Sequence, residues 1–219
     1  MGVAAQLNRV AVTPRPEAAP GFEAIQRHWD PATNRWTAKI LPGEYYVTRE
    51  AESITTVLGS CISACIRDRD SGIGGMNHFM LPEDGAGGSA WNAVDGGEST
   101  RYGSYAMERL LNELYKLGAR RDRLEVKIFG GGHILETRNE IGEKNIQFAQ
   151  NFCRIEGLVI AAQDVGLNVP RRVVYFPESG RVLIRHLNPI ANRTIQSRES
   201  DYRKSLRETC AGNDVELFD

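Results

Sequence analysis

Ser53–Pro82 reads SITTVLGSCISACIRDRDSGIGGMNHFMLP, three short apolar runs broken by Gly59 and by the polar segment RDRDSG. Runs that are β-branched and small, and bounded by turn residues, are strands rather than helices. They sit in the middle of the chain, so whatever this protein folds into is built around a sheet. Two other stretches carry the opposite period. In RYGSYAMERLLNELYKLG, Ala106, Leu110, Leu114 and Leu117 form one stripe, with Ser99 or Thr100 to cap it and Gly118 to end it. A second helix over 142–156 puts Ile146, Ala149 and Cys153 on one face and stops at Gly157.

Around these lie further strand patterns: EYYVT, RLEVKIF, LVIAAQDVG read as a buried strand, and the hairpin RRVVYF-PESG-RVLIRHL. Two helices and roughly eight strands predict an α/β (α+β-like) layered domain, a mixed β-sheet with its helices on one side. The expected organisation is an extended arm over 1–39, docked by Trp29 and Trp36, a domain over 40–187, and a polar tail over 188–219. Within that tail ESDYRKSLRET is a candidate short helix. PEDGAGGSAWNAVDGGEST is a long glycine-rich loop.

Several function classes fall away on composition. The net charge of −1 lacks the basic excess of a nucleic-acid or anionic-membrane binder. No apolar run reaches the length of a membrane span, so no membrane insertion is expected. The N-terminus has neither a secretory pattern nor a myristoylation site, and the four cysteines lack a C-x-x-C pair. They read as reduced thiols in a cytoplasmic protein.

The chemistry concentrates in the opening stretch. With Arg69 and Asp70 at the centre of a hairpin, Cys61 and His78 lie directly opposite, within reach of a thiol–imidazole hydrogen bond. Ser60 and Cys61 follow a glycine, where backbone N–H groups are free to hold an oxyanion. Against this stands a plain reading, in which Cys61 and Cys65 are small core residues and His78 a hydrogen-bonded sheet histidine. The FGGGH turn lacks the endings of a phosphate loop, and its glycines suit a sharp turn beside a site. Cys61, Cys65, His78 and His133 lack zinc spacing, so neither metal nor cofactor is expected. Glu108 and Glu113 face solvent on the first helix, and Asp164 is a turn cap.

TTVLGSCISACIRD, GIGGMNHFMLP, RYGSYAMERLLNELYKLGA and LEVKIFGGG together strongly resemble the chemoreceptor glutamine deamidase family, CheD. AAQDVG, the Arg171-Arg172 pair and ESGRVLI fit the same family, and the resemblance runs from about Leu41 to His186. It implies a layered α/β sandwich and a Cys-His-Thr triad: Cys61 as nucleophile, His78 as base, and Thr55, six residues before the cysteine, as orienting group. Backbone amides at Ser60 and Cys61 are the implied oxyanion donors. The implied activity is a protein-glutamine glutaminase, a hydrolase of selected glutamine amides on the cytoplasmic domain of chemotaxis receptors (methyl-accepting chemotaxis proteins). The alternative the family offers is an adaptor that binds and stimulates a chemotaxis phosphatase. Trp91, Gly130 and Gly131 are expected to border the substrate groove, with Cys61 in an open, shallow position. One departure is Leu167, where many members carry a second glycine after Asp-x-Gly.

Overall fold

A computed structural model describes residues 13–82, 98–134, 140–188 and 192–211. Ten strands form two five-stranded sheets. The first contains β1 (Gln26–Asp30), β2 (Arg35–Lys39), β4 (Ser53–Leu58), β9 (Arg171–Phe176) and β10 (Arg181–His186), in that spatial order. The second has β3 (Tyr45–Thr48), β6 (Gly74–Asn77), β5 (Ile62–Asp68), β7 (Leu124–Gly130) and β8 (Ile160–Val165). Each sheet is mixed: β2 and β4 are parallel in the first, β7 and β8 in the second, and the other pairs are antiparallel.

The layered α/β expectation holds, with two sheets where one was expected. β5 is buried along nearly its whole length, which a strand achieves only when both of its faces are covered. One cover is the helix pair α1 (Glu98–Lys116) and α2 (Glu140–Ile155), packed on β3, β5, β6, β7 and β8. Leu110 and Leu114 of the predicted stripe are fully buried there, with Met107, while Glu108 stays exposed. Gly118 and Gly157 end the two helices at φ +103° and +62°, in the left-handed region that glycine tolerates. The other sheet borders the second through the β9–β10 turn: Arg67 donates to the Glu178 carbonyl and Lys127 to that of Gly180.

Three expectations change. The segment before Lys39 is not simply an arm, because β1 and β2 pair as a hairpin that carries the first sheet to its edge. Trp29 and Trp36 meet edge-to-face across it, ring centroids 6.1 Å apart. Its anchor is a buried ion pair, Arg27 Nη1 to Glu52 Oε1 at 3.1 Å. β8, expected to be buried, is an edge strand with exposed residues. Its Asp164 pairs with the buried guanidinium of Arg171 rather than merely capping a turn. Last, the short helix expected at ESDYRKSLRET is part of a 20-residue helix, α3 (Asn192–Ala211).

No helix among the described residues is long and apolar enough to cross a membrane.

Candidate active site

β4 belongs to one sheet and β5 to the other, so Gly59-Ser60-Cys61 is the corner where the chain crosses between them. At such a corner the backbone N–H groups leave both ladders and need other acceptors. The corner's carbonyls are already taken. Gly131 N–H donates to the Cys61 carbonyl at 2.7 Å and Gly132 N–H to the Gly59 carbonyl at 2.6 Å. Asn145 of α2 donates to the Ser60 carbonyl at 2.8 Å and accepts from Leu81 N–H at 2.8 Å. Three amides, those of Gly59, Ser60 and Cys61, are thereby turned toward one point.

That explains the glycines after β7. Gly130 and Gly131 have φ of +114° and +64°, and a Cβ on Gly130 would lie 2.2 Å from the Cys61 carbonyl oxygen. Both are buried behind the corner. They support the Gly59–Cys61 corner rather than border a groove, which corrects the expectation for them. The turn is held from its far side by Gly166 N–H to the Gly130 carbonyl, 2.9 Å, and His133 N–H to the Leu167 carbonyl, 2.8 Å. Leu167 adopts φ +67°, so this chain keeps a glycine-like turn with a leucine in it.

Cys61 and His78 do meet. The hairpin pairs Ile62 with Phe79 and Cys65 with Met76, two residues away from the expected register. A slip of two preserves the face, whereas a slip of one would have reversed it. Cys61 and His78 are thus diagonal neighbours, with the Cys61 sulfur and an imidazole nitrogen within 4.8 Å.

The imidazole's partner is Thr56, not the expected Thr55. Thr56 Oγ1 lies 2.7 Å from His78 Nδ1, while Thr55 Oγ1 donates to the Val173 carbonyl at 2.8 Å. Adjacent strand residues point to opposite faces, so only one of the two can reach His78. The Thr56 hydroxyl also donates to the Ile40 carbonyl at 2.8 Å. A hydroxyl has one proton, so toward the ring it must accept, which places the imidazole proton on Nδ1. Nε2 is left as the basic nitrogen, buried and with no hydrogen-bond partner among the described residues.

A third group occupies the site that sequence reasoning did not anticipate. Glu199 of α3 is buried, and its carboxylate fills the corner. Oε1 accepts from Gly59 N–H at 2.8 Å and Cys61 N–H at 3.3 Å; Oε2 accepts from Ser60 N–H at 2.8 Å and Ser60 Oγ at 2.6 Å. A signal existed in the sequence: Ile195, Glu199, Tyr202 and Leu206 recur at intervals of four, three and four, a helix face with one glutamate in it. Cys61, His78 and Glu199 also form a three-ligand cluster of metal-binding type. Both carboxylate oxygens, however, are engaged by the four corner donors, which fits an anion seat rather than a metal ligand.

The site is closed. Cys61 is 0% and His78 1% exposed, so the open position expected for Cys61 is absent with α3 seated. Burial, and then the Glu199 carboxylate, pushes the Cys61 thiol well above its ordinary range. Burial holds the His78 imidazole down to about 3. The resting pair is a neutral thiol and a neutral base. Beside it lies a cavity of about 360 Å³, lined among others by Thr56, His78, Arg172, Ile195, Arg198 and Glu199. Trp91 and most of the glycine-rich loop lie outside the described residues.

Comparison with known proteins agrees with the sequence resemblance. The family model for CheD chemotactic sensory transduction matches residues 80–186. A probable chemoreceptor glutamine deamidase CheD of Halorhodospira halophila is 48% identical over 203 residues, covering 93% of this chain and 94% of its own. Proteins of the same description from Hahella chejuensis and Thiobacillus denitrificans are 46% and 51% identical, over 94% and 83% of this chain and 96% and 89% of theirs.

Proposed function

The chain belongs to the CheD family, and from that premise we propose that it is a protein-glutamine deamidase acting on chemotaxis receptors in the cytoplasm, through Cys61, His78 and Thr56. The observation that carries this reading is the alignment of three groups at the sheet-to-sheet corner. A thiol stands beside an imidazole whose tautomer is set by Thr56, and the convergent amides of Gly59, Ser60 and Cys61 hold a carboxylate. Those amides are placed to hold the negative oxygen of a tetrahedral intermediate.

The chemistry follows from these positions. His78 Nε2 takes the Cys61 thiol proton, and the thiolate attacks the side-chain amide carbon of a bound glutamine. The amide C–N bond breaks as Nε2–H returns the proton to departing ammonia, leaving a thioester. Nε2 then activates water, the thioester opens, and glutamate leaves. The receptor gains a negative charge and a carboxylate that can be methylated, which the amide cannot. Thr56 keeps the imidazole in the Nδ1–H tautomer throughout, as the third member of a triad does. The adaptor reading, with a chemotaxis phosphatase as partner, needs none of these groups in line.

Intact-mass analysis of a receptor cytoplasmic fragment, incubated with the protein, is the direct test. Each deamidation adds about one mass unit, and Cys61→Ala removes the gain while Cys65→Ala keeps it, because Cys65 lies within β5 away from the corner. Mass gain that survives Cys61→Ala refutes the assignment.

A further inference from the structure

Glutamate is what this enzyme makes, and a glutamate is what its own C-terminal helix delivers to the catalytic corner. We propose that α3 is a built-in product analogue: it occupies the groove that receives the substrate helix, with the Glu199 carboxylate where a newly formed product carboxylate lies, so that substrate enters only as α3 leaves. This inference rests on the deamidase reading above and adds to it the location of the substrate seat and its intramolecular occupant.

Four observations converge on it. First, the Glu199 carboxylate takes hydrogen bonds from all three corner amides and from Ser60 Oγ, the donors that the reaction needs free. Second, a glutamine side chain has the same length and shape as a glutamate, so a helix-borne glutamine seated as α3 is seated brings its amide to the Cys61 sulfur. Third, the remaining contacts of α3 are those of a docked helix face. Ile195 and Leu206 are buried, Tyr202 Oη lies 2.6 Å from Tyr102 Oη, and Gln196 donates to the Ile134 carbonyl. Gly43 and Gly59 leave room for this face: a Cβ on Gly43 would press on the Tyr202 ring at 3.1 Å, and one on Gly59 would meet Ile134 and Glu199. Fourth, with α3 in place Cys61 and His78 are inaccessible, so no external amide reaches them.

The helix also detunes the thiol. Burial of Cys61 and the Glu199 carboxylate both oppose thiolate formation, and the carboxylate does so only while α3 is seated. Apart from Ile195, Glu199 and Leu206, most described positions of α3 are polar and at least partly exposed, so its hold on the domain is modest and a competing helix can displace it.

The test uses the full chain and four variants. Glu199→Gln turns the product analogue into a substrate: water adds, the C–N bond of the introduced side-chain amide breaks, one ammonia leaves and the chain gains about one mass unit. That gain is expected in Glu199→Gln and is expected to vanish in the double variant with Cys61→Ala. Glu199→Ala, and Leu206→Ser as a second way to loosen α3 without touching the corner, should alkylate at Cys61 about tenfold faster than the parent chain with iodoacetamide, at unchanged fold by circular dichroism. Both should also deamidate a receptor cytoplasmic fragment faster. Equal alkylation of the parent and the two loosened chains overturns the plug. If the amide introduced by Glu199→Gln stays intact in a chain that deamidates the receptor fragment, the product placement is overturned. Loss of receptor turnover in Glu199→Ala would make Glu199 part of the catalyst instead. If no chain modifies the receptor fragment while the introduced amide is hydrolysed, the inference stands and the receptor reading is what fails.

Discussion

Thr56 Oγ1 accepts from His78 Nδ1 at 2.7 Å while donating to the Ile40 carbonyl at 2.8 Å, so one hydroxyl fixes both the orientation and the tautomer of the imidazole. Removing it frees the ring to rotate and to place its proton on Nε2, where it cannot take the thiol proton. Thr56→Ala should therefore lower kcat on a receptor fragment by about tenfold to a hundredfold, with KM little changed. Thr56→Ser, which keeps the hydroxyl, should recover most of the rate. Thr55→Ala removes a bond to the Val173 carbonyl on the other face of the strand and should leave kcat within about threefold. Steady-state kinetics of the three variants read the difference directly.

Gly130 shows how little space the corner leaves. A Cβ there would lie 2.2 Å from the Cys61 carbonyl oxygen, a backbone atom that cannot swing aside, and φ +114° is a conformation L side chains rarely adopt. Gly130→Ala must push the Gly59–Cys61 corner away or distort β7. We expect a loss of roughly 2–4 kcal/mol in chemical denaturation, by analogy with overpacking plus backbone strain. Activity per folded molecule should fall as well, since the Gly131 bond to the Cys61 carbonyl aligns the corner amides.

Much of this was readable from residue order alone. The Cys61–His78 encounter follows from a hairpin with polar turn chemistry between two apolar runs, because an even register shift leaves facing side chains on the same face. Period four and three in Leu110, Leu114 and Ile146, Ala149, Cys153 was enough to place both core helices. The choice between Thr55 and Thr56 was not readable, since it depends on which face of β4 turns toward β6, and that is set by pairing with β2 and β9. β8 was misjudged because alanines and valines read as buried, whereas edge position depends on where the sheet stops. α3 was legible only in part: ESDYRKSLRET marked its second half as a short helix, and polarity hid the rest. Its few buried contacts are long-range, and a helix held by one face of four residues has a weak periodic signal.

The ion pair of Arg27 with Glu52 gives the first hairpin a measurable part in stability. Glu52 is fully buried and also accepts from Tyr46 Oη at 2.7 Å and Thr48 Oγ1 at 3.0 Å, so its carboxylate is surrounded by donors. Glu52→Ala leaves the Arg27 guanidinium buried with the Pro16 carbonyl and the Tyr46 hydroxyl as acceptors and without the Glu52 counter-charge. Breaking one side of such a pair costs roughly 3–5 kcal/mol, which urea denaturation would register as a lower midpoint at similar slope. Replacing both partners, as Arg27→Met with Glu52→Leu, should cost markedly less than Glu52→Ala alone. A larger loss in the double variant would mean the pair contributes through more than charge.

The same burial that keeps His78 neutral makes the fold sensitive to acid. Its imidazole titrates near 3 in the folded chain against an ordinary value of 6.5, because the charged form has lost its water. Between those two values the unfolded chain binds a proton at this site that the folded chain does not, so stability falls as pH falls through that interval and is flat above it. From pH 6.5 to 4.5 the loss from this one group is roughly 2–3 kcal/mol, or about 5–10 °C in Tm for a chain of this size. Burial pushes the Asp68 carboxyl up, but backbone donors at Arg120, Ser71 and Asp70 outweigh it and hold the group below its usual range, so it adds its own loss only at lower pH. Thermal melts at half-unit steps would show the slope in the parent chain and a flatter profile in His78→Gln, which keeps the ring's volume only in part but carries no titrating nitrogen. A parent Tm unchanged between pH 6.5 and 4.5 would mean that His78 is solvated in solution, and therefore that α3 does not keep the site closed.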